Sequence, residues 1–327
     1  MLNIPYLYRD KAAAAYERRL DQLESISDAF RCVHRGELQE YDLAIDRFGS
    51  WLCVTNFEEA LSSKALYETI EPVLDYFQKR FDCCGGLIRT NRRDPHHRKL
   101  FGDVMHWGEK PPKTFLIREY GLQFEVALND SQHVGLFLDQ RDTRRRIARI
   151  ARGRRVANLF AFTCSFSVAA AQAEAEVVFS IDLAAGALVR GKRNFAHNGL
   201  TKTGRGKFIK EDVLKWLARQ VRKKRANSAE FKAWDIVICD PPVFASSSKK
   251  GVFSVEKAWP ELAEQIRAIL SDDGVALFCN NHRSGDERYY RSELEKSFSN
   301  ITRLRPPLDF PQLPGSPPHV RIYWCEV

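Results

Sequence analysis

The sequence predicts an α/β protein: a doubly wound, mostly parallel sheet preceded by a smaller α+β domain. Three observations carry this. Residues 156–182 (VANLFAFTCSFSVAAAQAEAEVVFSID) read as a buried strand, a turn of mostly small residues, an Ala-rich helix and a second buried strand that ends on Asp182. From there onward, apolar runs of strand length alternate with segments of helical periodicity. Residues 1–112 instead mix alternating strands with one long amphipathic helix.

Taken in order, residues 11–30 place Ala14, Leu20, Leu23 and Ile26 on one side of a helix. Residues 43–46 and 51–55 alternate as paired strands around Phe48-Gly49-Ser50. Residues 63–81 put Leu66, Ile70, Val73, Leu74 and Phe77 at helical spacing, and 86–89 read as a strand. A polar, proline-bearing stretch follows at 89–112, with Lys110-Pro111-Pro112-Lys113 as the best linker, so the expected domains are 1–112 and 113–327. In the second, 115–119 and 122–128 form a hairpin around Tyr120-Gly121. Beyond 182, helices are expected over 187–197, 213–223, 255–270 and 287–298. Strands are expected over 207–210, 234–239, 275–279, 301–304 and 320–325. This alternation makes the sheet Rossmann-like.

The composition is that of a soluble globular protein, with 44% hydrophobic residues and a mean hydropathy of -0.39. The first twenty residues lack an apolar signal region, and no run is long enough to cross a bilayer. The expectation is a cytoplasmic protein with no membrane segment. The eight cysteines include no C-x-x-C pair, and Cys53, Cys239, Cys279 and Cys325 fall inside expected strands. Neither a disulfide framework nor a metal site is expected. The net charge is +9, concentrated in residues 141–155 (RDTRRRIARIARGRR), 89–99 and 215–225. Each cluster alone reads as a solvated face, but three together point to a polyanionic partner, nucleic acid above all.

In such a sheet, ligands sit beyond the carboxyl ends of the strands. The residues there are Phe162, Thr163, Cys164 and Ser165 in the first turn, then Asp182, Asp212, Asp240-Pro241-Pro242 and Asn280-Asn281. A turn opening a helix offers backbone N–H groups, and an acid at the next strand end accepts both ribose hydroxyls. The G-x-G-x-x-G pattern that admits a pyrophosphate is absent; Cys164 and Ser165 stand where glycines would be. An adenosine-bearing cofactor without a pyrophosphate is indicated, and S-adenosylmethionine (SAM) fits. Asp212 either accepts from the adenine amino group or caps the helix behind it. Asp240-Pro241-Pro242-Val243-Phe244 is the most specific motif. Its prolines remove two donors and fix the carbonyls, Asp240 faces the reacting centre, and Phe244 offers a stacking surface for a base. Residues 246–250 (SSSKK) read as a flexible basic loop and 306–318 as a stiff surface loop.

These motifs together resemble the bacterial large-subunit rRNA methyltransferases of the class I SAM-dependent fold. The similarity is greatest to the guanine-N7 methyltransferase half of the bifunctional 23S rRNA enzyme. It runs from about Glu37 onward through GELQEYDLAIDRF, GLFLDQRDTRR, NLFAFTCSFSVAAA, VFSIDLAAGAL, NFAHNGL, EDVLKWL, DPPVFASSSK and FCNNHR. The resemblance implies that Gln140 and Arg141 belong to the cofactor site and that Phe162, Thr163, Cys164 and Ser165 flank the methionine moiety. It assigns Asp182 to the ribose, Asp212 to the adenine, and Asp240, Pro241, Pro242 and Phe244 to methyl transfer, with Asp240 also a cofactor-binding residue and the N-terminal domain assisting RNA binding. Two departures stand out: the turn usually carries a glycine where this chain has Cys164 or Ser165, and the other half of the bifunctional enzyme is missing from this sequence. Two alternatives stay open. Cytosine-C5 methylation would require a nucleophilic cysteine, whereas Cys239 and Cys279 read as buried structural thiols. A non-catalytic RNA-binding assembly factor would use the fold without transferring a methyl group.

Overall fold

The computed structural model describes residues 11–38, 41–58, 60–90, 104–129, 133–247, 251–312 and 315–327. The chain forms two compact units, Met1–Asp139 with Pro307–Leu313, and Gln140–Pro306 with Pro314–Val327.

The first unit opens with α1 (Lys11–Glu24) and continues through β1 (Ala29–Val33), β2 (Leu43–Phe48) and β3 (Trp51–Asn56). Next come α2 (Ser63–Phe81), β4 (Gly85–Thr90) and β5 (Val104–Gly108). The sheet order is β1-β2-β3-β4-β5. Only the β3–β4 pair, which α2 connects, is parallel. Leu66, Ile70, Val73, Leu74 and Phe77 bury one stripe of α2 against the sheet, as their spacing predicts. Ser62 caps the helix by accepting from the Ala65 N–H, and Asp82 ends it in the left-handed region.

Two strands depart from expectation. The helix expected over 11–30 stops at Glu24, and Ala29–Val33 is a strand with every residue buried. A strand buried on both faces has no alternation to distinguish it from helical spacing. β5 lies in what reads as a polar linker, because its side chains are largely outside the core.

The expected boundary at 112/113 falls within the first unit. The hairpin of β6 (Phe115–Glu119) and β7 (Leu122–Val126) turns through positive φ at Tyr120 (48°) and Gly121 (79°). Tyr120 N–H donates to Ile26 O (2.7 Å) and Asp28 N–H to Arg118 O (3.0 Å). The hairpin is therefore stitched to the turn between α1 and β1.

The expectation of a stiff surface loop over 306–318 fails at Asp309 and Phe310, which are buried. Asp309 is 0% exposed and accepts the Arg31 N–H (2.9 Å), while the Arg31 guanidinium lies 4.4 Å from the Phe310 ring centroid. Arg31 is in turn paired with Asp46 at 2.7 and 3.1 Å. A buried, charge-assisted anchor of this kind is not visible in a proline-rich composition. Residues 313–314 lie outside the described residues.

The second unit carries α3 (Arg141–Ile150), β8 (Arg155–Leu159), α4 (Ser165–Gln172), β9 (Val177–Asp182), α5 (Ala185–His197), β10 (Gly206–Lys210), α6 (Val213–Arg225) and β11 (Trp234–Cys239). A small hairpin follows, β12 (Phe244–Ser247) with β13 (Gly251–Ser254). Then come α7 (Val255–Ile269), β14 (Leu270–Asn280), α8 (Glu287–Glu295), β15 (Asn300–Leu304) and β16 (Arg321–Glu326). Among the described residues the sheet has seven strands in the order β10-β9-β8-β11-β14-β16-β15. The first five are parallel, and β16 is antiparallel to both neighbours. This is the Rossmann-like, doubly wound sheet predicted, with the order reversing at β8 and β11. Its core gathers the apolar faces of α6, α7 and α8 around Trp216, Trp234 and Trp259. Of the flexible basic loop expected over 246–250, residues 246 and 247 instead belong to β12, and 248–250 lie outside the described residues.

Candidate active site

Strand register lines up the site. Ile181 is level with Leu159, Leu159 with Cys239, and Cys239 with Phe278. One residue further on, Asp182, Phe160, Asp240 and Cys279 form a row across the carboxyl ends of four parallel strands. The sequence-predicted acids Asp182 and Asp240 thus come to one edge, with the turn 160–165 between them.

That turn takes positive φ at every second residue: Phe160 (54°), Phe162 (47°) and Cys164 (63°). Each costs about 1–3 kcal/mol when the residue is not glycine, so the surroundings must impose it. Asp182 does much of this. Its Oδ2 accepts the Phe162 N–H (2.8 Å) and its Oδ1 the Ala184 N–H (2.7 Å). Asn194 of α5 donates to Thr163 O (2.9 Å). Beneath the turn, the buried Ser167 hydroxyl meets Asn158 and Ser180, each at 2.8 Å. Ser165 opens α4, whose N-cap, Cys164, makes no side-chain capping bond.

Cys164 is not turned toward the strand edge. Its thiol is buried, donates to Phe162 O at 3.7 Å, and is pushed up to about 12 by burial. A Cβ on Gly191 of α5 would stand 2.4 Å from its Sγ. Asp212 caps α6, accepting the Lys215 N–H at 3.0 Å. It is linked to the rest of the edge by its neighbour Glu211, whose N–H donates to Asp182 O (3.1 Å).

Asp240 is half-buried, Pro241 buried, and Pro242 exposed. Phe244 begins β12 with 63% of its surface exposed. The hairpin is seated by the Val255 N–H on Val243 O (3.0 Å) and by Phe253, which lies 5.7 Å from Phe160 between ring centroids. Gln140, buried at the start of α3, accepts from the Cys279 thiol at 3.6 Å, which brings it to the same edge. Arg141 is buried beside it, 3.8 Å from Asp142.

The basic clusters divide. In 141–155, Arg141 and Arg144 are buried, while Arg152 pairs with Glu174 and Arg155 with Glu176 at the opposite, N-terminal end of β8. Arg155 also lies 4.9 Å from the Trp234 ring centroid. In 215–225, Arg219 pairs with Glu211 and Lys223 with Glu230. In the third cluster, residues 91–99 lie outside the described residues. Composition counts charges without seeing which are already neutralised.

Two side chains at this edge escape sequence reading. Leu183, directly after Asp182, is 56% exposed. His282 lies 5.9 Å from Phe244 between ring centroids, with the planes at 75°. For both the available signal is position alone, one or two residues past a strand end.

The fold is that of a SAM-dependent methyltransferase. A sequence model of the S-adenosylmethionine-dependent methyltransferase family matches residues 86–318, and the chain belongs to that family, with SAM as its cofactor. It is similar to the ribosomal RNA large subunit methyltransferase K/L of Psychrobacter arcticus, at 38% identity over 76% of this chain and 32% of that protein. It is also similar to the protein of that name from a Shewanella species (strain MR-4), at 28% identity over 91% of this chain and 40% of that one. The chain therefore spans well under two thirds of these relatives. Among solved structures, a protein from Streptococcus mutans described as a SAM-dependent methyltransferase superposes with a TM-score of 0.78 at 25% identity, covering 100% of this chain and 82% of that one.

Proposed function

We propose that this chain methylates large-subunit ribosomal RNA, and that the acceptor is N7 of a guanine. The rRNA reading is supported by the relatives named above. The atom is supported by the chemistry of the edge: the two cysteines nearest the Asp240 motif are ill suited to nucleophilic attack. Cys239 is buried within β11, and burial, with Asp240 alongside, pushes its thiol well up. Cys279 is buried and hydrogen-bonded to Gln140. Cytosine C5 requires a thiolate that adds to the ring. Guanine N7 attacks with its own lone pair and requires no base.

The residues present fit the cofactor. Asp182 fixes the turn and retains lone pairs for ribose hydroxyls, Leu183 offers an exposed apolar surface for the adenine, and Asp212 sits one strand over. Phe162, Thr163, Cys164 and Ser165 lend the methionine end a backbone wall, with Gln140 and Arg141 behind. Bound SAM supplies an electrophilic methyl group on a sulfonium. Phe244 stacks the base, which must leave its helix to reach the edge. Pro241 and Pro242 hold the chain rigid beside it. Asp240 would stabilise positive charge developing on the guanine, without taking a proton. The chief contribution is alignment of the reacting atoms.

Incubation with methyl-labelled SAM and unmodified large-subunit rRNA tests the substrate. Label in the RNA is expected; label absent from RNA when SAM binding is intact overturns the reading.

A further inference from the structure

We infer, building on methylation at guanine N7, that His282 reads the target base: its Nε2–H donates to guanine O6 while the base lies on Phe244. It is a specificity-determining residue, contacting the edge next to the reacting atom.

The loop that carries it is held rigid. The Asn280 Oδ1 accepts the His282 N–H (2.7 Å). Arg321, almost wholly buried in β16, donates to His282 O (2.6 Å) and to Gly285 O (2.7 Å). Gly285 is packed so closely that a Cβ there would stand 2.6 Å from the Tyr290 ring and 2.8 Å from His282 Nδ1. The imidazole is fixed as well, with Nδ1 2.7 Å from the Tyr290 hydroxyl and Nε2 3.1 Å from the exposed Ser284 hydroxyl. Burial raises the Tyr290 phenol above its ordinary value, so its proton stays in place at neutral pH. With the Tyr290 hydroxyl taken as the donor to Nδ1, the ring's own hydrogen is on Nε2. A ring this constrained beside an aromatic face as exposed as Phe244 has the rigidity of a recognition element.

The chemistry selects the base. When N7 is the nucleophile, its lone pair is unavailable for recognition, and the acceptor left on that edge of guanine is O6. Adenine presents an amino donor at the same place. One fixed N–H therefore accepts guanine and rejects adenine, which would leave two donors opposed.

The test uses the full chain and an rRNA fragment carrying guanine, inosine (O6 kept) or 2-aminopurine (O6 absent) at the methylated position. Wild type should favour inosine over 2-aminopurine by about tenfold or more, the loss of one hydrogen bond to the base. His282→Ala should lower kcat/KM on the guanine fragment by a similar factor, leave SAM affinity within about twofold, and erase the inosine preference. His282→Gln, which keeps an N–H donor, should retain part of it. Unchanged kcat/KM in His282→Ala overturns the inference, as does a slower variant with the preference intact, which would mark His282 as merely structural. A wild-type product other than 7-methylguanosine overturns the N7 reading itself, and is seen before any variant is made.

Discussion

Cys164 and Gly191 are complementary: the thiol of a residue in the left-handed region lies where a side chain on the facing helix would have to be, 2.4 Å from a Cβ built on Gly191. The residue facing the Cys164 thiol across the two elements is a glycine. Gly191→Ala should destabilise the second unit by about 1–3 kcal/mol through overpacking. Cys164→Gly should make room for it, so a double-mutant cycle read by urea unfolding should show coupling of about 1 kcal/mol or more. Additive effects would contradict the contact.

Asp182 and Asp240 should separate binding from turnover. Asp182→Ala removes the acceptor of two backbone N–H groups and the proposed ribose partner, and should weaken SAM binding by at least about tenfold. Asp240→Ala should leave SAM affinity within a few-fold and lower single-turnover rate by about 10–100-fold. Equilibrium SAM binding paired with single-turnover transfer gives both numbers. Wild-type turnover in Asp240→Ala would remove its proposed role.

The thiols should prove inert. Seven of the eight cysteines are buried and Cys84 is exposed, so native alkylation should label Cys84 first. Cys239→Ser and Cys279→Ser should each keep methyl transfer, whereas loss of transfer in a folded variant would favour a cysteine nucleophile. Stability carries a pH signature too. Burial pushes the Cys164 thiol up to about 12 from its ordinary value of 9.0. The unfolded chain therefore sheds its proton first, so stability held below pH 9 falls as pH rises toward 12. Cys164→Ala should flatten that fall in urea midpoints measured across the range.

In the first unit, Arg31→Ala strands the buried Asp46 carboxylate and removes the surface on which Phe310 rests. A cost of about 3–5 kcal/mol in chemical unfolding is expected, as for other buried pairs broken on one side. A cost below about 1 kcal/mol would show the network to be dispensable.

Much of the second unit was legible because each element buries its apolar residues at the period its geometry demands. Residues 234–239 read as a continuous apolar strand because both faces of a central parallel strand are covered. The strand-end acids followed from the same periodicity. What was not legible depends on contacts distant in sequence. The conformation of Phe160, Phe162 and Cys164 is imposed by Asp182 and α5. Asp309 gains its burial from Arg31. His282 acquires meaning only beside Phe244, thirty-eight residues away in the numbering, the two following the neighbouring strands β14 and β11. Within 141–155, the pairing of Arg152 with Glu174 and of Arg155 with Glu176 is likewise invisible to composition.

The most direct test is the identity of the labelled nucleoside after transfer from methyl-tritiated SAM to unmodified large-subunit rRNA and complete digestion. The account predicts 7-methylguanosine. Labelled 5-methylcytidine would contradict it, moving the chemistry to a cysteine and away from the Asp240 and His282 edge.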